Sequence, residues 1–529
     1  MDNFGTVCNL CSIGCSMEVS CDKANNYSVK GKQGLVNADG ACCEYPLTAF
    51  HNFSLKERIT SPLLKEGNSF KNISWNEAFN ILHNRVTTGN PVEKAFFAGA
   101  RLTNEEQYLV QKLARAGALS NDIGSFHYLG RGTGYTKLSK ANIPFFELSD
   151  AKRIFVIGAD VTSDYPVIGD IILRNKKEAG IDIEVITENS TDGLVAHAGK
   201  HLVVNSYFYF IKAVNCYLLK NDLQDNVYIS NLIDNFNEFK TGMLSMDYDQ
   251  LVKKSGLTKE AIEEFALRYL HEPNAVIIFS ENTLSSNTCG EIFNLALITG
   301  KHGRTGAGLC LLKEKNNSHG LHDMGVMSNL STGATSWDDP FQRNSVQIGW
   351  GSKDLPSYIP DIKEKLESGE YKYLFIFGED PVGCAINSEP IIDNLSKVDF
   401  IMVQDYFLTP TAQMADLVLP ASLAFETGGT FTNCQRVIQQ VAKSLNSPLE
   451  YNSWQQINEI LVRNGFPQFE NVIDITFEIA GLLPKFCTSS KLMFRVHDHD
   501  NNNQLFEYGC DALQRLAKKV SPAEVFING

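Results

Sequence analysis

The sequence lacks a long apolar run, an excess of positive charge and a leader segment. No stretch of about 18 or more apolar residues occurs, so a membrane-spanning helix is not expected. Lys and Arg number 47 against 61 Asp and Glu, a net charge of −14, which disfavours binding to nucleic acid or to an anionic membrane surface. The N-terminus, MDNFGTVCNLC, has neither the basic nor the apolar region of a signal peptide. We therefore expect a cytoplasmic protein.

The chain is long enough for several domains with buried cores. Its 529 residues are 43% hydrophobic and 20% charged, which is ordinary for globular proteins. At about 150 residues per domain, this length predicts three or four domains.

Cysteines are concentrated near the N-terminus. Of the 13 cysteines, Cys8, Cys11 and Cys15 form a triplet, and the adjacent pair Cys42 and Cys43 follows. Disulfides are not expected in a cytoplasmic protein. Three thiolates in one turn and a fourth from a returning segment can hold a 4Fe-4S cluster. Zinc is the alternative, although it more often uses two separated pairs of cysteines, and buried structural thiols are a third interpretation.

Short apolar runs alternate with helical patterns in the rest of the chain. Residues 1–57 contain strand-like pieces and predict a small β-rich module whose folding depends on its metal. Ser74 and Glu77 have the spacing of a capping box, which predicts the start of a helix. Continuous apolar strands between helices indicate parallel sheets covered on both faces, hence an α/β fold. These runs lie at residues 95–100, 153–158, 181–187, 275–280, 373–378 and 400–404.

Polar loops, two of which contain glycine, follow several of the predicted strands. They are Gly158-Ala159-Asp160, Gly378-Glu379-Asp380-Pro381 and Gln404-Asp405. In open α/β sheets, ligands bind beyond the carboxyl ends of the strands, where backbone N–H groups can hold phosphates. Ordinary turn chemistry is the alternative explanation for each loop taken singly.

Six blocks of sequence follow one another in a recognisable order. They are the N-terminal cysteines, RITSPL at 58–63 with SWNEA at 74–78, residues 256–325, GEDP at 378–381, VQDYFLT at 403–409, and ADLVLP at 415–420 with NCQR at 433–436. Together they resemble the molybdopterin oxidoreductase family, the bis-molybdopterin guanine dinucleotide enzymes. The resemblance runs from Cys8 to about Pro484. It is nearest to formate dehydrogenase catalytic subunits and to the large iron–sulfur subunit of NADH-quinone oxidoreductase.

The resemblance implies a division into domains. A small β-rich 4Fe-4S domain, residues 1–57, would lie on two doubly wound α/β domains. One of these would be discontinuous, built from residues 58–134 and 316–408, and the other would span residues 135–315. Residues 409–484 would return to pack near the cluster domain.

The remaining residues, 485–529, are too few for the C-terminal β-barrel domain of full-length members, so we expect that domain to be missing. Within this tail, residues 491–496 and 504–508 are expected to form a hairpin. A last helix is expected at residues 512–519.

The resemblance also implies the ligands of the cluster. Cys8, Cys11, Cys15 and Cys43 would hold one 4Fe-4S cluster. Cys43 is favoured as the fourth ligand because Gly40 and Arg58 then fall three residues before it and fifteen after it, as in the family pattern. Cys42 is the alternative fourth ligand.

A bis-molybdopterin guanine dinucleotide centre with molybdenum or tungsten is the second implied cofactor. His127 would carry a proton near the metal, and Arg131 would attract an anionic substrate. The residues expected to hold the dinucleotides are Gly158, Asp160, Glu188, Gly378, Glu379, Asp380, Gln404, Asp405 and Asp416.

Three positions depart from the family pattern. Tyr45 stands where members that pass electrons between cluster and pterin usually carry a lysine. Phe126 stands where formate dehydrogenases place a metal-ligating cysteine or selenocysteine, and Ser125 is the nearest alternative ligand. Glu188 lies in a Thr-Glu-Asn triplet in place of an Asp-Pro-Arg-like one.

These features support three hypotheses of function. The first is an enzyme subunit that oxidises formate or a similar small substrate and exports electrons through the cluster. The second is a degenerate wiring or scaffold subunit, as in NADH-quinone oxidoreductase. The third is a split enzyme whose barrel domain is a separate chain, as in formylmethanofuran dehydrogenases. All three predict partner subunits, such as ferredoxin-like, flavin-binding or barrel-domain chains.

Overall fold

Two mostly parallel sheets organise the part of the chain that the computed structural model describes. The described residues are 2–22, 27–53, 58–131, 142–188, 193–483, 491–501, 504–505 and 507–518. The α/β architecture expected from the sequence is confirmed.

The first large sheet has five parallel strands in the order β10-β9-β8-β11-β12. Every residue of β11 and β12 is buried, as the continuous apolar runs predict for strands covered by helices on both faces. The strands are β8 (Arg153–Ile157), β9 (Asp182–Thr187), β10 (Lys200–Val203), β11 (Ala275–Ser280) and β12 (Gly308–Leu312).

The second large sheet has seven strands in the order β5-β4-β17-β16-β15-β6-β7. The five strands from β17 to β7 are parallel, and β4 and β5 are antiparallel at one edge. Segments from both halves of the chain therefore build one sheet, although the domain boundaries themselves stay a prediction. The strands are β4 (Leu63–Glu66), β5 (Ser69–Asn72), β6 (Lys94–Ala98), β7 (Ile123–Gly124), β15 (Tyr373–Phe377), β16 (Phe400–Asp405) and β17 (Leu417–Pro420).

A small antiparallel sheet at the N-terminus carries the cysteine loops. It consists of β1 (Asp2–Val7), β2 (Ser16–Cys21) and β3 (Tyr27–Gly31). The hairpin of β18 (Gly429–Thr432) and β19 (Ile438–Val441) packs beside it. The segment after β17 thus returns to the N-terminal sheet. A further short hairpin joins β13 (Leu330–Ser331) and β14 (Thr335–Ser336).

Helices cover both faces of the large sheets. The helix at Trp75–Thr87 begins where the capping pattern predicts it, because Ser74 accepts a hydrogen bond from the backbone N–H of Glu77. The other helices of seven or more residues are Glu44–Phe53, Asn104–Lys112, Pro166–Ala179, Tyr207–Lys220, Asn226–Leu232, Phe236–Leu244, Tyr248–Ser255, Lys259–His271, Ser286–Ile298, Pro340–Trp350, Ile362–Ser368, Glu389–Leu395, Ser453–Arg463, Val472–Leu482 and Ala512–Lys518. Shorter ones lie at Ser318–Asp323, Pro381–Cys384, Pro410–Met414 and Ala424–Thr427.

In the described residues of the tail, 491–501, 504–505 and 507–518, the expected hairpin is not formed. Leu492 instead bridges to Ile233, and Tyr508 bridges to Ala385, so each segment joins a distant part of the fold. The expected last helix is present at Ala512–Lys518. In the part of the chain that is described, no helix is both long and apolar enough to cross a membrane.

Candidate cluster site and cofactor cleft

Five cysteines of the N-terminal module line one cavity of about 70 Å³. Cys8, Cys11, Cys15, Cys42 and Cys43 lie on one side of it, and residues from the start of the helix Pro166–Ala179 lie on the other. A cavity of this size has room for several water-sized groups. The structure therefore brings all the predicted cluster ligands, and the alternative one, to a single place.

A tight turn positions the triplet. The backbone N–H of Cys8 donates to the carbonyl of Cys15 at 2.8 Å and closes the loop. Gly14 has a φ of +67°, and a Cβ atom there would lie 2.2 Å from Oε1 of Gln439. Gln439 in turn donates to the Gly14 carbonyl at 2.7 Å. The returning hairpin thus holds the turn against the body of the protein.

Burial disfavours the thiolate form of the predicted cluster ligands. Burial raises the pKa of Cys8, Cys11 and Cys15, and repulsion among the thiols adds to the effect, so that the pKa of Cys11 rises to about 12. At Cys8 and Cys15 the thiol of Cys43 contributes more to this repulsion than that of Cys42. A metal ligand must be a thiolate, and cationic iron would offset the free-energy cost of deprotonating these buried thiols.

The five thiols at one cavity are a donor set that a 4Fe-4S cluster can use. Among the described residues, no three His, Cys, Asp or Glu side chains converge to hold one metal ion. Zinc draws its four ligands to one point, whereas the thiolates of a 4Fe-4S cluster surround a larger body. The donor set and the cavity therefore fit a 4Fe-4S cluster.

Two residues lie near the cluster cysteines, where the family lysine is lacking. The hydroxyl of Tyr45, which lines the cluster cavity, donates to the carbonyl of Ser163 at 3.1 Å, on the side of the five-stranded sheet. Arg101 reaches the cysteine loop from the other direction, because its guanidinium donates to the carbonyls of Asn9, at short distance, and of Leu10, at 3.1 Å. Arg101 supplies a positive charge next to Cys11.

Arg101 lines a second cavity, which we call the cofactor cleft. Its walls include Gly378, Glu379, Asp380 and Asp405, beyond the carboxyl ends of β15 and β16. The backbones of β6 and β15 meet closely here, since a Cβ atom on Gly99 would lie 1.9 Å from the carbonyl oxygen of Gly378. This contact places Arg101 beside the Gly378 loop.

Four of the predicted cofactor-binding residues thus lie together at the cleft. Asp380 accepts hydrogen bonds from the hydroxyl and the N–H of Thr411, at 2.7 and 3.0 Å. Burial and the charge of Asp380 raise the pKa of Asp405 to about 8. Gly378 has a φ of +62°, which a residue with a side chain rarely adopts.

Five other predicted residues lie elsewhere. Gly158 follows β8, and Asp160 accepts from Thr162 and Ser163 in a local turn. Glu188 accepts from the N–H of Tyr207 at 3.2 Å. The amide of Gln404 points into the core, to Gln456. Asp416 accepts from the N–H of Ile401, at the amino end of β16 and away from the cleft.

His127 and Arg131 are brought together in a buried charge cluster. Nη1 of Arg131 lies 2.7 Å from Nε2 of His127, and Oε2 of Glu314 lies 3.1 Å from Nδ1. Arginine only donates, so Nε2 accepts and the proton is on Nδ1. Burial lowers the pKa of His127, against the opposing effect of Glu314. The imidazole is therefore neutral.

Glu281 and Lys313 form the centre of this cluster. Nζ of Lys313 lies 3.1 Å from Oε2 of Glu281, and both side chains are fully buried. Tyr128 donates to the other oxygen of Glu281 at 2.8 Å. Burial alone would raise the pKa of Glu281, but the charges of Lys313 and Arg131 hold it well below its ordinary value. These charges neutralise one another inside the protein.

The side chains of Phe126 and of Ser125, the nearest alternative ligand, both have partners within the protein. The ring of Phe126 stacks on Phe97 in the core, with 3.9 Å between ring centroids. The hydroxyl of Ser125 donates to Oε1 of Glu379 at 2.6 Å. Glu379 also accepts from the N–H groups of Phe126 and His127, so it positions this loop, and burial raises its pKa to about 7.

Sequence reasoning did not select several residues of the two sites. Glu281 directly follows β11, and Lys313, Glu314 and Lys315 directly follow β12. The rule that selected Gly378, polar residues at the carboxyl end of a buried strand, applies to them equally. No sequence pattern predicted Arg101 as a site residue, because its position depends on the close contact of Gly99 with Gly378.

A comparison with protein families decides the identity. The family model described as molybdopterin oxidoreductase matches residues 58–463. The chain belongs to the molybdopterin oxidoreductase family. Membership implies a molybdopterin cofactor with molybdenum or tungsten.

Similar proteins agree with this family. The chain is 28% identical over 506 residues to the F420-dependent formate dehydrogenase 2 subunit alpha of Methanococcus maripaludis, covering 92% of this chain and 74% of that one. It is also 28% identical to a putative formate dehydrogenase of Staphylococcus aureus, covering 91% of this chain and 51% of that one. The solved structure of acetylene hydratase from Pelobacter acetylenicus superposes with a TM-score of 0.66 at 17% identity, covering 87% of this chain and 69% of that one, and so shares the fold.

The cofactor cleft does not fit a molybdopterin dinucleotide as it stands. Its volume is about 40 Å³, and Tyr508, Asp511, Ala512 and Leu513 of the tail form part of its wall. A small-molecule site normally measures about 300–1,000 Å³. The family loops are therefore present, but the tail closes the space between them.

Proposed function

We propose that this chain is a subunit of a formate dehydrogenase-like molybdopterin oxidoreductase complex and carries electrons through one 4Fe-4S cluster. The cavity lined by Cys8, Cys11, Cys15, Cys42 and Cys43 carries the proposal. When bound, the cluster would supply one-electron chemistry. The reducing cytoplasm is the compartment that suits such thiolate ligands.

The surrounding residues have defined roles in this proposal. Cys8, Cys11, Cys15 and Cys43 hold the cluster. Arg101 places a positive charge between the cluster cavity and the cofactor cleft, and it hydrogen-bonds the cluster loop. Arg101 therefore occupies the position between the cluster and the cofactor cleft that the family lysine usually holds, although it comes from another part of the chain.

Formate as the substrate is proposed from the printed names of the relatives, several of which are formate dehydrogenase alpha subunits. In this chain His127 is neutral and its Nε2 accepts from Arg131, so it would take up a proton at Nε2 only when the Arg131 guanidinium no longer donates to that atom. Arg131 is the cation beside it. The partners would be subunits that accept electrons from the cluster.

A non-catalytic wiring or scaffold subunit is the second candidate. Phe126 in the core and the small cofactor cleft favour it, because a phenyl ring is not a metal ligand and the cavity at the Gly378 loop is smaller than a dinucleotide needs. A barrel-bearing partner chain, as in the split enzymes, would be a further requirement for catalysis.

Metal analysis of anaerobically purified protein tests these proposals. We expect about four iron atoms per chain, lost in Cys11→Ser and Cys43→Ala but retained in Cys42→Ala, because Gly40 and Arg58 stand at the family spacing from Cys43. One zinc and no iron would contradict the cluster. Iron loss in Cys42→Ala alone would reverse the choice of ligand. Molybdenum or tungsten in the sample would favour the catalytic candidate over the scaffold.

A further inference from the structure

The tail of the chain forms one wall of the cofactor cleft. We call residues 507–517 the strap. Its backbone pairs with the loop after β15. The N–H of Ile386 donates to the carbonyl of Glu507 at 2.9 Å, and the N–H of Gly509 donates to the carbonyl of Cys384 at 2.6 Å. The helix Ala512–Lys518 then packs against the helix Glu44–Phe53 of the N-terminal module. The strap thus connects the cleft with the cluster domain.

Asp511 of the strap pairs with two buried cations. Its Oδ2 lies 2.7 Å from Nε and 2.5 Å from Nη2 of Arg101, and 3.7 Å from Nζ of Lys315. All three residues are at most 9% exposed. Burial alone would raise the pKa of Asp511, but Arg101 and Lys315 lower it to about 2. Asp511 is therefore an anion held in a cationic pocket.

Two other strap residues contact the predicted functional residues. Nη2 of Arg515 lies 3.4 Å from Oδ2 of Asp380. The ring of Tyr508 makes an edge contact with His127, at 4.8 Å between centroids, and the ammonium of Lys315 lies 5.2 Å from its centre. The strap therefore contacts the Gly378 loop and the charge cluster at once.

The carboxylate of Asp511 forms hydrogen bonds with only one of the two cations of this pocket. It hydrogen-bonds Arg101, but Lys315 is beyond hydrogen-bond distance from it. A phosphate group carries more oxygens and more charge, and arginine with lysine is the usual pair that binds it. Arg101 and Lys315 are thus a donor pair that suits a phosphate group as well as the carboxylate of Asp511, while Glu379, Asp380 and Asp405 line the rest of the cleft.

We propose that Arg101 and Lys315 form a phosphate site, that Asp511 occupies it as an internal substitute, and that the strap leaves the cleft when a phosphate-bearing ligand binds. The phosphate site is argued from this chain's own contacts. Its assignment to the phosphates of a pterin dinucleotide rests on the proposed function. In this arrangement the strap and the dinucleotide compete for one cleft.

Titration calorimetry with inorganic pyrophosphate on the full-length, cluster-loaded protein tests the competition. We expect Asp511→Asn to bind pyrophosphate at least tenfold more tightly than the unmodified protein, because the substitute anion is gone. Glu507→Gln is the matched control, since it removes one charge from an exposed strap position and should leave the affinity unchanged. Adding Arg101→Gln to Asp511→Asn should abolish the gain.

Hydrogen exchange of the unmodified protein provides a second test that needs no variant to fold. Saturating pyrophosphate should increase the exchange rate of the amides in Ala512–Lys518 several-fold. Equal affinity of the unmodified protein and Asp511→Asn, or unchanged exchange with pyrophosphate bound, would overturn the proposal. Iron content is measured in the same samples, so failure of the strap proposal with about four iron atoms present leaves the cluster proposal standing.

Discussion

At the scale of single residues, Asp405 makes the free energy of unfolding depend on pH. Its folded pKa of about 8 is far above the ordinary value of a carboxyl, because it is buried and faces Asp380. Between about pH 4 and pH 8 the folded protein keeps a proton on Asp405 that the unfolded chain has released. Its contribution to stability is therefore lost as the pH rises through this range.

The Asp405→Asn substitution should remove the part of the decrease in stability with rising pH that Asp405 causes. Each pH unit in the range costs about 1.4 kcal/mol, so we expect the decrease in unfolding free energy between pH 6 and pH 8 to shrink by about 2 kcal/mol. Urea unfolding at the two pH values measures it, with the exposed Glu450→Gln as a control that should change nothing. An identical pH dependence in Asp405→Asn would contradict the assigned cause.

At the scale of elements, the apolar runs predicted the strands well. The expected strand at 275–280 is β11, and that at 400–404 is one residue shorter than β16. Such strands are buried on both faces, so their own composition specifies them. The tail was predicted wrongly because Leu492 and Tyr508 take partners about 260 and 120 residues away, which local pattern does not reveal.

The turn after β15 gives a prediction at the same scale. Gly378 has a φ of +62°, and a Cβ atom there would lie 2.8 Å from Cδ2 of Leu102. Gly67, in the turn between β4 and β5, has a φ of +63° and open space around it. We expect Gly67→Ala to cost about 1 kcal/mol of unfolding free energy, and Gly378→Ala about 2–4 kcal/mol, since it adds a steric conflict to the same backbone strain. Equal costs, measured by denaturant unfolding, would show that Leu102 moves aside freely.

At the scale of the whole molecule, the fold followed from the family resemblance, whereas the composition of the site did not. Glu281 and Lys313 come from two strands of one sheet, and Glu314 reaches His127 near the other sheet. Their mutual pairing depends on how the two sheets are placed. The sequence motifs predict the order of the strands and helices along the chain. They do not predict which charged side chains pair with each other.

Membership of a complex is the prediction at this scale. A single cluster must pass its electrons to another carrier, and relatives of this chain are named as alpha subunits. We expect a gently purified sample to have a native mass above the 58.8 kDa of one chain, with other polypeptides present. Native mass spectrometry measures this. A stable monomer without a co-purifying chain would count against the complex.

The place of the strap in the chain sets the timing of assembly. Asp405 and Asp511 are 106 residues apart in sequence, yet they border the same cleft. Ribosomes add roughly 5–20 residues per second, so the cleft walls are synthesised about 5–20 s before the segment that closes them. Under the strap proposal, a large ligand has its easiest access to the cleft during translation, before the strap arrives. Insertion into the finished protein would instead displace a folded segment.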